Sequence, residues 1–235
     1  MVYQAILFDL DGTLLPMDQD AFVKCYFGEL CRKLCPLGIE PKPLTDAVWA
    51  GTKAMVLNDG ARQNVDVFWD AFAQATGRDA EKFRPLCDLF YGHEFHLARS
   101  ATGENPLAVE AVRLAHEKAE QVVLATNPLF PLVGQRTRLS WVGLKPEDFA
   151  LVTSYESDRY CKPNPDYYVD IIRRQGLDPA RCLMIGNDES EDMLPAQGLG
   201  MDTYLVTDCR IASRGAAYEG PQGTFGEMVE MLKKL

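Results

Sequence analysis

The sequence predicts an α/β fold: a doubly wound parallel sheet, interrupted after its first strand by a helical insert. Three observations predict it. Ala5–Phe8 is apolar at every position, as expected for a strand buried on both faces. From Gln19 to about His93 the apolar residues recur only at helical spacing. After Pro106 helical and strand patterns alternate to the end, as parallel β-α units do.

Within the insert, Phe22, Val23, Tyr26, Phe27, Leu30, Cys31 and Leu34 make one apolar stripe. Leu44, Val48, Trp49, Thr52, Met55 and Val56 make a second, stopped by the turn Asn58-Asp59-Gly60. Val65, Phe68, Trp69 and Phe72 give a third helix ending at Gly77, and Phe83, Leu86, Cys87, Phe90 and Tyr91 a fourth ending at Gly92. With no strand among them, these helices are expected to bury their stripes against one another as a small bundle.

Beyond Pro106, a helix over 107–119 leads to the strand "QVVLAT" (121–126). A helical stretch from near Phe130 precedes the strand "ALVTSY" (150–155). The helix of 165–175 is followed by "CLMIG" (182–186) and "TYLVT" (203–207), and "FGEMVEMLKKL" closes the chain as an amphipathic helix. The expected domains are therefore a core of 1–15 and 106–235, and an insert with its linkers of 16–105.

The chain has 235 residues, 47% hydrophobic and 25% charged, with a formal net charge of -10. That charge argues against nucleic acid or an anionic membrane as the main partner. No apolar run approaches the ~18 residues of a membrane span, and the N-terminus enters a strand without the pattern of a secretion signal. Seven cysteines, odd in number and without a C-x-x-C pair, read as free thiols, Cys31 and Cys35 included. A cytoplasmic protein is expected.

In an open α/β sheet, ligands sit beyond the carboxyl ends of the strands. Here those ends deliver Asp9 and Asp11, then Thr126 and Asn127, then Lys162 after a loop, then Asn187, Asp188 and Asp192. Two carboxylates one residue apart repel and lose solvation near a core, so a bound cation, nearby positive side chains or a shared proton must compensate. Asp9 and Asp188 offer hard oxygen ligands of the kind Mg²⁺ takes, Lys162 a positive charge and Thr126 a hydroxyl. Backbone amides around Gly12 and Asn127 are expected to hold phosphate oxygens. Such a set suits phosphoryl transfer.

The motifs "DLDGTLL", "VVLATN", "KPNPDYY" and "GNDESED" follow in order from Asp9 to Asp192. With them the chain resembles the haloacid dehalogenase-like hydrolase superfamily, in its phosphatase branch, and the insert resembles the cap of the phosphoglycolate phosphatase-like subgroup. The resemblance implies a Rossmann-like core with a helical cap, and Mg²⁺-dependent hydrolysis of a small phosphorylated metabolite through a phosphoaspartate. It implies Asp9 as nucleophile and Asp11 as general acid, then base, with its carbonyl on the metal. Thr126 and Lys162 would hold phosphoryl oxygens, Asp188 would bind the metal directly, and Asp192 would bind it or its waters. Gly186-Asn187 stands where many members have Gly-Asp, which leaves the part of Asn187 open.

Other readings are weighed against this one. A dehalogenase needs neither a proton donor at Asp11 nor a metal at Asp188. A sugar phosphomutase would keep every motif. A receiver-type signalling domain is about half as long and lacks the insert, and a non-catalytic binding protein would be expected to have lost one of these residues. His93 and His96 lack a third metal ligand at recognisable spacing, and Arg62 and Arg99 read as surface charges. The Asn58-Asp59-Gly60 turn is a candidate for approach to the pocket.

Overall fold

The computed structural model describes residues 2–235. Six parallel strands run in the order β3-β2-β1-β4-β5-β6. They are β1 (Tyr3–Phe8), β2 (Ala119–Leu124), β3 (Leu151–Val152), β4 (Cys182–Gly186), β5 (Asp202–Val206) and β6 (Gln222–Gly223). The alternation of β1 explains its unbroken apolar run. Ile6 and Phe8 enter one core, while Ala5 and Leu7 enter another on the opposite face with Tyr167, Tyr168 and Ile171. Both neighbouring strands split the same way: Val122 and Leu124 against Val123, and Leu183 and Ile185 against Cys182 and Met184. The strand order turns back between β1 and β4, the position where an open sheet leaves a crevice.

Helices α1 (Gln19–Leu34), α2 (Pro41–Val56), α3 (Asn64–Thr76) and α4 (Arg84–Gly92) form the insert, closed by a 3₁₀ helix, Glu94–Ala101. Asp18 caps α1 by accepting from Ala21 N at 2.9 Å. The sheet is flanked by α5 (Ala108–Lys118), α6 (Leu132–Trp141), α7 (Asp166–Gln175), the short α8 (Leu194–Gly198) and α9 (Phe225–Lys234). Thr224 and Glu227 make a reciprocal capping box at α9.

Three local expectations differ from the structure. The insert does not bury its stripes only on itself: its core is continuous with Phe130, Trp141 and Tyr155. Tyr26, Phe95 and Phe130 form an aromatic knot, with ring centroids 5.7–5.9 Å apart. The strand expected over 150–155 keeps only Leu151–Val152. Thr153 Oγ1 turns to the Thr126 carbonyl at 2.6 Å and Ser154 N to Asp158 at 2.9 Å, so side chains take the bonds a ladder would use. The two-residue β6 is too short to leave a periodic signal.

The two linkers run side by side. Met17 bridges Thr102, Gly103 N donates to the Pro16 carbonyl at 2.7 Å, and Asn105 Nδ2 donates to the Leu14 carbonyl at 3.0 Å. The far side of the insert is also tied to the core. Asn64 N and Val65 N donate to the carbonyls of Asp158 and Tyr155 at 2.9 and 2.8 Å. Arg159 Nη1 reaches the Gly60 and Ala61 carbonyls at 3.3 and 3.1 Å.

Candidate active site

The sheet register brings the polar residues together. Phe8 pairs with Leu124 on one side and Ile185 on the other, so Asp9, Thr126 and Asn187 leave the same sheet edge in adjacent rows. Asp9 N donates to the Ile185 carbonyl at 2.9 Å, and Ala125 N to the Phe8 carbonyl at 2.7 Å, extending the ladder to the edge of the crevice. A cavity of about 340 Å³ opens there, lined by Asp9, Asp11, Thr126, Asn127, Asp188 and Asp192 among others.

Lys162, 1% exposed, is the buried cation of this edge. Its Nζ donates to Asp9 Oδ1 at 2.9 Å and Asp192 Oδ1 at 2.5 Å. Burial alone would depress the lysine, but Asp192 and Asp9 outweigh it and hold the ammonium well above its ordinary value. Burial pushes the Asp9 carboxyl up; Lys162 pulls it back, while Asp192 and Asp11 add to the rise. The net direction is upward.

Both carboxylate oxygens of Asp192 are engaged within the protein. Its Oδ1 meets Lys162, and its Oδ2 accepts from the amides of Asn187 and Asp188 at 3.1 and 3.0 Å. With both oxygens engaged, it orients the lysine and folds the turn after β4. Gly186 makes this possible, because a Cβ there would stand 2.2 Å from Asp192 Oδ2. Asp188 uses Oδ1 to accept from the amides of Ser190 and Glu191 at 2.7 and 2.9 Å. Its Oδ2 makes no hydrogen bond among the described residues and belongs to a cavity-lining side chain.

Asp11 has a partner that sequence reasoning missed. Arg138, on α6 and 0% exposed, donates through Nη1 to Asp11 Oδ2 and through Nη2 to Gln135 Oε1. The guanidinium carbon lies 4.2 Å from the centroid of the Phe130 ring. Asp11 Oδ1 is buried without a partner.

Gly12 also departs from expectation. Its amide donates to the Leu15 carbonyl at 2.8 Å and so is not available to a phosphate. It is the amides of Leu10 and Asp11, just before it, that make no hydrogen bond among the described residues. Glycine is required at position 12 on two counts: φ is 87°, and a Cβ would stand 2.3 Å from Asn187 Nδ2. Asn187 thereby gains a structural part. Its Oδ1 lies 3.1 Å from Thr13 Oγ1, itself 3.3 Å from Asp9 Oδ2, and its Nδ2 donates to the Cys209 carbonyl at 2.7 Å.

Thr126 is buried, lines the cavity, and its carbonyl accepts from Tyr167 Oη at 2.9 Å, which fixes the strand end. Asn127 uses its side chain on the lysine loop: Oδ1 accepts from Lys162 N at 3.3 Å. Its Nδ2 donates to Glu191 Oε2 at 3.0 Å. Glu191 is a second residue missed in the sequence, a cavity-lining acid whose carboxyl is pushed up to about 7 by burial. Among the described residues, no three His, Cys, Asp or Glu side chains converge closely enough to cage a metal by themselves.

Residues 3–200 match the haloacid dehalogenase-like hydrolase family, most of the chain, with Asp9, Asp11, Thr126, Lys162, Asp188 and Asp192 all inside the match. The chain belongs to this family. Comparison with curated protein sequences returns no match. Among solved structures, the hydrolase is similar to an HAD phosphatase from Thermococcus onnurineus, with 21% identity, 97% of each chain covered and a TM-score of 0.60. It is similar to a 2-haloacid dehalogenase from Pseudomonas syringae pv. Tomato DC3000, with 18% identity, 99% of each chain covered and a TM-score of 0.62. It is also similar to a predicted phosphoglycolate phosphatase from Haemophilus somnus 129PT, with 15% identity, 98% of each chain covered and a TM-score of 0.58. At these identities the likeness speaks for the fold, and it includes proteins named for both chemistries.

The remaining candidates of the hydrolase lie elsewhere. His96 Nδ1 accepts from Trp141 Nε1 at 3.0 Å. Arg62 pairs with Asp70 at 2.6 Å on the surface, and Arg99 is exposed. The seven cysteines are all free thiols. The Asn58-Asp59-Gly60 turn meets the core at Tyr160, where a Cβ on Gly60 would stand 2.1 Å from the tyrosine oxygen, rather than entering the cavity. No helix among the described residues is long and apolar enough to cross a membrane.

Proposed function

We propose that the hydrolase is a Mg²⁺-dependent phosphatase that cleaves a phosphate monoester through a phosphoaspartate on Asp9, with the insert (16–105) as its cap. The observation that carries this reading is the pairing of two different carboxylates in one cavity. Asp9 is held against Lys162, while Asp11 faces the same cavity with one oxygen fixed by Arg138 and the other unpartnered. A dehalogenase needs the first carboxylate but has no use for the second, because halide leaves without a proton.

The donor set fits Mg²⁺. Asp9, Asp11 and Asp188 offer only oxygen, Asp188 Oδ2 makes no hydrogen bond among the described residues, and the one buried lysine is shared between Asp9 and Asp192. The lack of a closed carboxylate cage suits an ion that keeps waters and a phosphate oxygen in its shell. Bound there, the ion supplies positive charge against the phosphoryl oxygens.

The residues then divide the work. An Asp9 oxygen attacks phosphorus, the bond from phosphorus to the ester oxygen breaks, and Asp11 protonates the departing oxygen. Asp11 next takes a proton from water as that water attacks phosphorus, and the bond to Asp9 breaks to release phosphate. Lys162, the Thr126 hydroxyl and the amides of Leu10 and Asp11 hold the phosphoryl oxygens. Asp192 and Asn127 fix the lysine, and Arg138 fixes Asp11.

The direct comparison is release of phosphate from acetyl phosphate against release of chloride from 2-chloropropionate, both with Mg²⁺ present. Phosphate release without chloride release is expected. Chloride release with no phosphate release refutes the reading.

A further inference from the structure

The cavity beside Asp9 does not end at the carboxylates. It continues into the inserted helices, where Phe22, Tyr26, Phe27, Trp49, Trp69 and Phe72 line it. Its charged lining residues are all acids, Asp9, Asp11, Asp188, Glu191 and Asp192, gathered at the sheet edge. No lysine, arginine or histidine lines it among the described residues. The two buried cations nearby both sit at the reacting end, Lys162 on Asp9 and Asp192, and Arg138 on Asp11 and Gln135, and neither reaches the aromatic wall as a lining residue. Even the polar tips of the aromatic wall are partly spent, since the Tyr26 and Tyr91 hydroxyls bond each other at 2.8 Å.

We propose that the substrate is a phosphate monoester of a bulky apolar alcohol, of aromatic size and with no second anionic group. This rests on the phosphatase reading above and narrows it to a substrate class. A leaving group bearing a carboxylate or a second phosphate would sit in this wall without a counter-charge and beside a row of acids. Desolvation and repulsion both penalise that arrangement. An aromatic or branched group there leaves water for a wall of rings, and burying one such group favours binding by roughly 10–100-fold. The volume of about 340 Å³ is of the size that holds a small organic molecule. The same lining disfavours 2-phosphoglycolate, the bisphosphates a mutase must retain, and 2-haloacids, all of which carry an anion into this space.

The experiment compares kcat/KM of the Mg²⁺-loaded enzyme for ethyl phosphate, 2-phenylethyl phosphate and 2-phosphoglycolate, three esters with alkyl leaving groups. Acetyl phosphate, activated and too small to fill the aromatic space, is measured alongside. The expected order is 2-phenylethyl phosphate above ethyl phosphate by about 10–100-fold, with 2-phosphoglycolate below both. Hydrolysis of acetyl phosphate with no advantage for the phenylethyl ester, or with 2-phosphoglycolate preferred, overturns the substrate class and leaves the phosphatase reading standing. No hydrolysis of any of the four refutes the phosphatase reading and this inference with it. Trp49 lines the cavity yet is 52% exposed, so Trp49→Arg places a cation in the wall without disrupting the core. The ratio of phenylethyl to glycolate activity within that one variant is expected to fall by about tenfold or more. An unchanged ratio overturns the assignment of this wall as the leaving-group pocket.

Discussion

Arg138 donates to Asp11 from inside the protein, across 127 residues of sequence, and is itself 0% exposed. A guanidinium so buried is stable only while its partners remain, and here they are one reactive carboxylate and Gln135. The same contact fixes Asp11 Oδ2 and leaves Oδ1 buried without a hydrogen-bond partner.

Removing the charge from Arg138 therefore acts on both stability and turnover. Arg138→Met is expected to destabilise the fold by about 3 kcal/mol, the loss typical when one partner of a buried pair is removed. Adding Asp11→Asn to Arg138→Met is expected to recover part of that loss, which a double-mutant cycle by urea denaturation measures. Strict additivity would show that the two side chains are not coupled.

Asp11 should matter most where the leaving oxygen most needs a proton. Asp11→Asn is expected to slow phosphoenzyme formation from an alkyl phosphate by ~10²–10⁴-fold, and noticeably less from p-nitrophenyl phosphate. Single-turnover kinetics of that step makes the comparison, because Asp11 also serves as base in the second step. Equal losses for both esters would restrict Asp11 to holding the metal or the fold.

Glu191 gives the metal-free enzyme a pH signature. Burial raises its carboxyl from 4.5 to about 7, so the folded state holds this proton more tightly than the unfolded state. Its contribution to stability is present below pH 4.5 and is lost as the pH rises through about 7. Glu191→Gln, whose side-chain oxygen still accepts from Asn127, is expected to stabilise the apo protein by about 1–3 kcal/mol at pH 8 and to change little at pH 4.5. Thermal melts at the two pH values check this. A destabilised variant at pH 8 would mean the glutamate is held ionised by a favourable contact.

Much of the site was legible because strand ends can be located from the sequence. Asp9, Thr126 and Asp188 each follow a short apolar run, and a parallel register carries such residues to one edge. What was not legible depends on long-range pairing or on which backbone amides are already used. Arg138 lies on a helix whose buried face also carries Gln135 and Thr137, so no apolar period singles it out. The engagement of Gly12 N by Leu15 and of both Asp192 oxygens is decided by turn geometry that composition does not encode. The β3 strand is shorter than its sequence pattern because the Thr153 hydroxyl takes the Thr126 carbonyl and the Asp158 carboxylate takes the Ser154 amide.

Metal removal tests the charge balance of the site. Lys162 is shared between Asp9 and Asp192, so dialysis against EDTA is expected to abolish turnover and added Mg²⁺ to restore it. Mg²⁺ is also expected to raise the thermal midpoint, because an ion bound only by the folded state stabilises it. Full turnover after metal removal would mean the buried acids are balanced by protons instead.

The central claim is that Asp9 becomes phosphorylated, and mass spectrometry of acid-quenched enzyme tests it most directly. Enzyme mixed with Mg²⁺ and acetyl phosphate, then quenched and digested, is expected to carry a phosphoryl adduct on the peptide containing Asp9. Asp9→Asn is expected to show neither adduct nor turnover, although Asn is nearly isosteric and leaves Lys162 paired to Asp192. Turnover with no adduct on Asp9, or an adduct that persists in Asp9→Asn, would contradict the account.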